Sequence, residues 1–312
     1  MWNANGMQSK WSAHKKKNIV KLDINDDRHA RKTKCFREVV EELNYPDTLF
    51  ILETKTSLKK IMKLKGMDEW RKEYGYNYVH CVWTEKDEED KNNEGYAGVL
   101  MLSKYKPEKI FYNLETDDKT SKEGRAITAI FKTMIIISSY SPCSGWHAEK
   151  THKKIEYENK LQNHIKKLKK LYPKKKIILG GDLNINPRDI DCSKEAAQMW
   201  KTHVSKNMKT KGLEIPGCKE EERIAYRNTN KTFEGINIWE HLYPLIAGQT
   251  WTHPRDPFGS IGKGQRIDHF VADVSYLNNT NELQIENMKV HTGLGQSDHW
   301  PISINIGIKK NK

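Results

Sequence analysis

Cysteine is scarce in this 312-residue chain: five residues stand at positions 35, 81, 143, 192 and 218, and no two are spaced as C-x-x-C. This odd, widely spaced set predicts neither a disulfide framework nor a structural zinc site. The longest apolar runs, such as Ile135–Ile137 and Ile177–Leu179, have the length of strands, so no membrane span is predicted. The first residues also lack the basic and apolar segments of a signal peptide. These absences favour a reduced, intracellular protein.

Basic residues exceed acidic ones, 54 to 41, which gives a formal net charge of +13. A surplus of this size favours a polyanionic partner, most often nucleic acid and less often an acidic membrane surface. A charge that serves only solubility is the alternative. Nine tryptophans, thirteen tyrosines and seven phenylalanines are enough to anchor a core, so wholesale disorder is excluded.

Short apolar runs alternate with longer amphipathic patterns, and no internal repeat is found. Strands are predicted at residues 49–52, 98–102, 127–131, 134–140, 177–183, 267–272 and 301–306. Helices are predicted from about residue 30 to 43 and from 149 to 171, the second with a solvated lysine face. Residues 85–94 and 193–232 are predicted to be loops, the second with a helix at about 195–206. Since neither loop has a linker composition, we expect one domain over residues 1–308 and a basic tail at 309–312.

Acidic, amide and imidazole side chains stand at the ends of the predicted strands. They are Glu53, Asp182, Asn184, Asp268, Asp298 and His299. Polar groups at strand ends, on loops held by a rigid sheet, are where α/β active sites form. Asn5, Glu53 and Asp298 offer hard oxygen ligands and no thiolate, which suits Mg²⁺ or Mn²⁺ better than zinc.

Nine motifs occur in one order along the chain. They are WNANG at 2–6, LETK at 52–55, GYAGV at 95–99, EGR at 123–125, YSP at 140–142, GDLNI at 181–185, TWT at 250–252, RID at 266–268 and SDHWPI at 297–302. This series resembles the exonuclease III-like apurinic/apyrimidinic endonucleases of the endonuclease/exonuclease/phosphatase superfamily. The resemblance implies an α+β fold, a four-layer α/β sandwich in which two mixed, mostly antiparallel sheets pack face to face between helices.

Two further stretches distinguish branches within the superfamily. Residues 217–223 look like the Gly-x-x-x-x-Glu-Arg stretch of the abasic-site repair enzymes, and residues 238–244 look like the helix before their Thr-Trp-Thr strand. Both favour DNA repair over phosphatase relatives. The endonuclease domain of a retrotransposon, which nicks undamaged DNA, is the first alternative. A catalytically weakened DNA-binding module is the second.

The resemblance implies Mg²⁺-dependent hydrolysis of a DNA phosphodiester, with Mn²⁺ as a substitute. Incision would fall 5′ to an abasic site in double-stranded DNA, and a 3′-exonuclease or 3′-phosphodiesterase activity is a further expectation. By analogy the protein would act as a monomer away from membranes. We expect the nucleus in a eukaryote, and otherwise the cytoplasm or nucleoid.

Roles for individual residues also follow from the resemblance. Glu53 would be the central metal ligand, helped by Asp298 and Asn5. His299 would contact or protonate the scissile phosphate, oriented by Asp268. The remaining catalytic candidates are Asp182 for water activation or leaving-group assistance, Asn184 for orientation, and Tyr140 as a phosphate hydrogen-bond donor. Candidates for substrate binding are Asn3, which would also support the ligands, Arg125, Trp251, Arg266 and Trp146.

The chain departs from the family pattern at several places. The first motif begins at Trp2, so the N-terminal strand is expected to be truncated. Asn5 offers a neutral oxygen where many relatives carry Asp. The pocket that takes the extrahelical sugar in relatives has Thr250, Gln265 and Ile267 at the corresponding positions, with Trp251 retained, and its shape decides whether a base is excluded.

Overall fold

The computed structural model describes residues 1–11, 34–84, 95–114, 123–207, 214–253, 263–277 and 283–308. The strands are β1 (Trp2–Asn3), β2 (Thr48–Leu52), β3 (Tyr78–Val82), β4 (Val99–Ser103), β5 (Lys109–Tyr112), β6 (Ala126–Ile130), β7 (Met134–Tyr140), β8 (Lys176–Asp182), β9 (Gly235–Asn237), β10 (Trp251–Thr252), β11 (Gly264–Gln265), β12 (Asp268–Asp273), β13 (Leu283–Val290) and β14 (Ile302–Ile308). The helices are α1 (Met7–Lys10), α2 (Phe36–Glu42), α3 (Leu58–Met62), α4 (Met67–Glu73), α5 (Ala148–Leu171), α6 (Lys194–Asn207), α7 (Glu220–Lys231) and α8 (Ile238–Leu242). Short 3₁₀ turns lie at Asp189–Asp191 and Val274–Tyr276.

The strands form two main sheets. The first has the order β1-β2-β4-β3, in which β1 is parallel to β2 and the other pairs are antiparallel. The β13–β14 hairpin lies beside it, because the backbone groups of Met1 and Ile302 exchange hydrogen bonds of 2.7 and 2.9 Å. The second sheet has the order β5-β6-β7-β8-β12-β9. Its parallel pair, β7 and β8, is joined by α5, as a parallel crossover requires.

Apolar side chains fill three layers between and outside the sheets. Phe50 and Met101 from the first sheet pack with Ile127 and Ala129 from the second. The outer face of the first sheet is covered by α1, α2 and α4, and that of the second by α5 and α7. This arrangement is the four-layer α/β sandwich with two mixed sheets, so the predicted fold class is confirmed.

Helix α5 confirms the helix predicted at 149–171, but its buried face is not made of all its leucines and isoleucines. Leu161, Ile165 and Leu168 are buried, whereas Leu171 is 57% exposed. Lys154 and Glu158 are buried on the same side. A polar pair therefore occupies part of the face that packs on the second sheet.

Two sequence-based boundaries need correction. The helix predicted from residue 30 is described only from Phe36, and residues 34–35 precede it in extended or irregular conformation. The predicted loop at 193–232 contains the expected helix, α6, and a second helix, α7. At the start of helix α7 the Lys219 backbone amide donates to Glu222 Oε2 at 3.2 Å, and the helix buries Ala225 and Tyr226. The predicted loop at 85–94 and tail at 309–312 lie outside the described residues.

Among the described residues, no helix combines the length and the apolar character that crossing a membrane demands.

Candidate active site

One end of the sandwich collects the side chains that were predicted to carry the chemistry. Strands β1, β2, β7 and β8 end there, and β12 begins there. In the register of the second sheet, Asp182 lies between Tyr140 on β7 and Asp268 on β12. From the first sheet, Asn3 is paired with Leu52, so Glu53 follows directly beside it. Two sheets therefore supply one cluster of polar groups.

A close approach of two strands explains the Gly-Gly that precedes Asp182. Gly181 has a φ of +130°, and a Cβ atom there would lie 2.1 Å from the backbone oxygen of Ser139. Only glycine fits such a conformation at this distance. The absence of a side chain thus allows β8 to lie against β7 where Tyr140 and Asp182 are paired.

Asn3 connects two of the carboxylates. Its Nδ2 donates to Glu53 Oε1 at 2.8 Å and to Asp182 Oδ2 at 2.9 Å, and its side chain is fully buried. Because an amide nitrogen carries two hydrogens, both are used. Asn3 therefore fixes the separation of the two acids, and its burial argues for a supporting contact with the ligands over direct contact with substrate.

His299 lies between two aspartates. Its Nδ1 is 2.8 Å from Asp268 Oδ2, and its Nε2 is 3.7 Å from Asp182 Oδ2. A carboxylate can only accept, so Nδ1 is the donor in the first contact. Burial disfavours the charged imidazole, but Asp268 and Asp182 outweigh it and hold the pKa of His299 well above its usual value. The ring is thus oriented and held as a proton donor.

Asp182 has the opposite electrostatic problem. Burial raises the pKa of Asp182 to about 7, with further upward contributions from Asp268 and Glu53, although His299 and Asn3 oppose them. A carboxyl with a pKa near 7 can take or release a proton at neutral pH. Asp182 and His299 together form a buried acid–base pair.

The strand order also positions the loop that carries Asp298 and His299. Strand β10 runs beside it: the Thr252 amide donates to Asp298 O at 2.9 Å, and the Trp300 amide donates to Thr250 O at 2.7 Å. The Trp251 indole Nε1 donates to Asp298 Oδ2 at 3.0 Å. The predicted substrate residue Trp251 is therefore engaged in orienting a predicted ligand.

The predicted ligands Asn5, Glu53 and Asp298 lie close to one another. Asn5 Nδ2 donates to Asp298 Oδ1 at 3.1 Å. The Lys55 ammonium bridges Asn5 and Glu53. It lies 2.6 Å from Asn5 Oδ1 and 2.9 Å from Glu53 Oε2. Of the described residues, Glu53, Asp182 and His299 form a group whose donor atoms all lie within 4.8 Å of one another. The oxygen-rich side of this cluster contains no thiolate.

Strained backbone accompanies these contacts. Asn5, Glu53, Lys55 and Asn184 have φ values of 48°, 49°, 53° and 48°, in the left-handed region that non-glycine residues seldom adopt. Such conformations cost about 1–3 kcal/mol each and persist where the surroundings enforce them. Their concentration in one cluster indicates that side-chain placement there outweighs local backbone preference.

The loops after β7 and β8 are tied together. Asn184 Nδ2 donates to Ser141 O at 2.9 Å. The buried Lys154 ammonium donates to Leu183 O at 2.7 Å and to Ser141 Oγ at 3.2 Å. Helix α5 therefore holds both loops through Lys154.

The Lys154 ammonium has a buried carboxylate, that of Glu158, beside it. Glu158 lies one turn after Lys154, with 3.9 Å between the charged atoms. It accepts hydrogen bonds from Ser141 Oγ at 3.0 Å and from Thr229 Oγ1 of α7 at 2.9 Å. The pair thus links two helices to the loops that carry Tyr140, Asp182 and Asn184.

Tyr140 and Arg125 contact each other at the edge of the cluster. Burial, with Glu53 and Asp182, raises the pKa of Tyr140 well above its usual value, so its phenol keeps its proton. Arg125 Nη1 donates to the Tyr140 backbone oxygen at 3.3 Å, and its guanidinium lies 5.0 Å from the centre of the Tyr140 ring. Arg125 is half-buried, at the edge of the cluster.

Arg266 requires a correction. Its side chain is fully buried, and its guanidinium binds Asp191 at 2.6 Å and Glu240 at 2.9 Å. These contacts leave no exposed donor for a ligand, so the predicted contact with substrate is not supported. Arg266 instead anchors the chain just before Asp268.

Three tryptophans line the side of the cluster near Asp298. Trp200 of α6 stacks on Trp251 with 5.9 Å between ring centres, and Trp146 meets Trp200 edge-on at 5.7 Å. Trp200 Nε1 also donates to Gln265 Oε1 at 3.1 Å. Trp146, a predicted substrate-binding residue, is therefore half-buried against protein.

The structure brings most of the predicted residues together and adds others. The residues in the cluster are Asn3, Asn5, Glu53, Tyr140, Asp182, Asn184, Asp268, Asp298 and His299. The residues that the sequence analysis did not assign are Lys55, Lys154, Glu158 and Trp200. A lysine in the LETK motif and a single tryptophan in a lysine-rich stretch were visible signals for two of these. Nothing in the sequence distinguished Lys154 and Glu158 from a solvated pair.

Comparison with known proteins places the chain in a family. The Endonuclease/Exonuclease/phosphatase family matches residues 2–299. A DNA-(apurinic or apyrimidinic site) endonuclease from Plasmodium berghei is 30% identical over 237 residues, which cover 69% of this chain and 43% of that protein. An exodeoxyribonuclease from Bacillus subtilis is 28% identical over 217 residues, covering 69% of this chain and 76% of that protein.

The fold is also found in solved structures. A 3′–5′ exonuclease from Neisseria meningitidis superimposes with a TM-score of 0.67 at 19% identity, and the match covers 98% of each chain. The chain spans 43% and 38% of the lengths of the P. berghei protein and a second Plasmodium relative, respectively. The match over residues 2–299 shows that the chain belongs to the endonuclease/exonuclease/phosphatase family.

Proposed function

We propose that the protein is a metal-dependent DNA phosphodiester hydrolase that incises 5′ to abasic sites. The observation that carries the proposal is His299, held by Asp268 at 2.8 Å and placed 3.7 Å from Asp182. Relatives named as DNA-(apurinic or apyrimidinic site) endonucleases support the choice of substrate. The motifs at 217–223 and 238–244 favour DNA repair over the activities of the phosphatase relatives.

The proposed chemistry uses groups whose positions and protonation suit it. Attack on a phosphodiester adds negative charge to the non-bridging oxygens, and hydrogen-bond donors aimed at them lower the barrier. Protonated Tyr140 and His299 would be those donors. Asp182, whose pKa is about 7, would accept a proton from water or assist the leaving oxygen. Asn184, fixed by Ser141, would orient the nucleophile or the phosphate.

Glu53, Asp298 and Asn5 would hold the divalent cation, with Mg²⁺ expected and Mn²⁺ as a substitute. The donor set fits, since all three offer oxygen, and the Lys55 ammonium on two of them indicates a cation-binding corner. When bound, the ion would supply positive charge that stabilises the developing phosphate charge. The protein's part is to hold these oxygens in place through Asn3 and Trp251.

The proposal also covers the extent of the domain, its oligomeric state and its location. Residues 1–308 would form one domain that acts as a monomer on double-stranded DNA, with 3′-exonuclease or 3′-phosphodiesterase activity as a second property. The net charge of +13 supports a polyanionic substrate. We place the protein inside the cell, in the nucleus if the source is eukaryotic and otherwise in the cytoplasm or nucleoid.

The test is incision of paired labelled duplexes, one containing a single tetrahydrofuran residue and one undamaged. Cutting 5′ to the tetrahydrofuran in Mg²⁺, and none in excess EDTA, is expected. His299→Ala and Glu53→Ala should each lose at least about a hundredfold in rate while circular dichroism is unchanged. His241→Ala, an exposed histidine on α8, is the matched control and should cut normally.

Other outcomes would identify the alternatives. Equal nicking of both duplexes would favour the retrotransposon-type endonuclease. Tight, salt-sensitive binding without turnover in Mg²⁺ would favour the binding module. Normal incision by either active-site variant would refute the residue assignment.

A further inference from the structure

Lys55 occupies a place at the proposed metal site that its motif alone does not explain. It follows Glu53 by two residues, and its ammonium lies 2.9 Å from Glu53 Oε2 and 2.6 Å from Asn5 Oδ1. Asn5 in turn donates to Asp298 at 3.1 Å. The lysine therefore binds two of the three side chains that would hold a divalent cation, and it is one hydrogen bond from the third.

The backbone holds Lys55 firmly in this place. Its φ of 53° is left-handed, and its amide donates to Ala97 O at 3.2 Å. Gly95 packs against it so closely that a Cβ atom at Gly95 would lie 2.7 Å from the Lys55 carbonyl oxygen. A strained conformation supported from two sides indicates a selected position, in which the start of the side chain is fixed and only its end can move.

A bound divalent ion and this ammonium would compete for the same oxygens. Mg²⁺ binds oxygen at about 2.0–2.1 Å and tolerates little departure from its geometry. An ammonium already 2.6–2.9 Å from two of those oxygens occupies the space that the ion needs. Two cations within about 4 Å of each other would also repel.

The geometry points to Lys55 as an exchangeable counter-cation, which holds Glu53 and Asn5 in place without metal and must leave when the metal binds. Its side chain is 39% exposed, so the flexible four-carbon stem can swing its ammonium into solvent. Lys55 is thus a positioning residue that sets the affinity of the site for metal. The inference rests on the proposed metal dependence.

Metal binding without DNA tests the inference directly. Mn²⁺ is titrated into the full-length protein by calorimetry, with Lys55→Met, which keeps the length but removes the charge, compared with wild type. The variant should bind Mn²⁺ about tenfold more tightly, because the competing cation is gone. Lys55→Arg keeps the charge and should stay within about threefold of wild type. Lys59→Met, an exposed lysine on α3, is the control and should leave binding unchanged.

Thermal unfolding gives a second readout that a purely structural lysine would not produce. In EDTA, Lys55→Met should melt several degrees below wild type, because Glu53 loses its counter-charge. Saturating Mn²⁺ should remove most of that difference. Unchanged or weaker Mn²⁺ binding by Lys55→Met, or an equal loss of stability in both conditions, would overturn the inference while leaving the nuclease proposal standing. A wild type that binds no Mn²⁺ would overturn both.

Discussion

Replacement of Lys154 by methionine should lower the free energy of unfolding by about 3–5 kcal/mol. Its side chain is 1% exposed, and its ammonium donates to Leu183 O and Ser141 Oγ. Without it, Glu158, whose side chain is 4% exposed, keeps two hydrogen-bond donors. It loses the ammonium that lies 3.9 Å from its carboxylate. Breaking a buried pair from one side costs more than the pair itself contributes, because the remaining charge stays buried.

Urea denaturation at pH 7 measures this cost. The neighbouring lysine supplies the control: Lys153 is 65% exposed and pairs with Glu149 at 2.9 Å across one helical turn, so Lys153→Met should cost at most about 0.5 kcal/mol. The double variant Lys154→Met with Glu158→Gln removes both charges and should recover at least about 1 kcal/mol relative to Lys154→Met.

The same variant should also affect catalysis, since Lys154 ties the loops that carry Asp182 and Asn184. We expect a lower kcat with little change in KM for the tetrahydrofuran duplex. A loss of less than about 1 kcal/mol from Lys154→Met would refute the reasoning that the buried pair holds these loops.

Three further predictions concern other parts of the molecule. Burial lowers the pKa of His164 from 6.5 to about 4. The protein should therefore lose stability as pH falls through this range, by up to about 3 kcal/mol at pH 4. Urea titrations at pH 7 and pH 4 should show a smaller loss for His164→Phe than for wild type. In urea denaturation, Gly181→Ala should lower the free energy of unfolding by at least about 2 kcal/mol, because its Cβ would collide with β7. The control Gly293→Ala is also at positive φ but has open space around it, so it should cost about 1 kcal/mol. Equal costs would contradict this account. Trp200→Ala should raise KM for the tetrahydrofuran duplex about tenfold by removing a wall of the aromatic cluster, while Tyr105→Ala, 62% exposed at the far end of β4, should leave KM unchanged.

The central strands could be predicted because their sequences carry the signal that burial requires. Strand β8 contains a run of isoleucine and leucine that is buried on both faces, and in the isoleucine run of β7 only Ile136 is half-buried. Strand β13 was missed because only Ile285 and Met288 are buried within eight residues, so its apolar pattern is sparse. Helix α7 was missed for a related reason: its buried positions include Glu222 and Thr229, which read as solvent-facing.

The cluster itself was predicted from motif order, and its supporting contacts were not. Strand ends mark where Glu53 and Asp182 lie, since both follow recognisable strands. Lysine and glutamate one turn apart, such as Lys154 and Glu158, are usually a surface pair. Only the packing of α5 against α7 reveals that this pair is buried. Arg266 was misjudged for the same reason, because a sequence motif does not show which way a side chain faces.

The four carboxylates of the site pose an electrostatic problem that explains its other residues. Burial raises the pKa of Asp182, whereas at Glu53 and Asp298 burial is outweighed by hydrogen bonds and nearby positive charge, which hold their pKa values below the usual ones. Each acid has at least one hydrogen-bond donor or cation beside it. They are Asn3 for Glu53 and Asp182, His299 for Asp268, Trp251 for Asp298 and Lys55 for Glu53. Lys55 is the one of these that is both cationic and substantially exposed. It can therefore leave without exposing the buried core, and a site built this way can exchange a cation while its carboxylates stay in place.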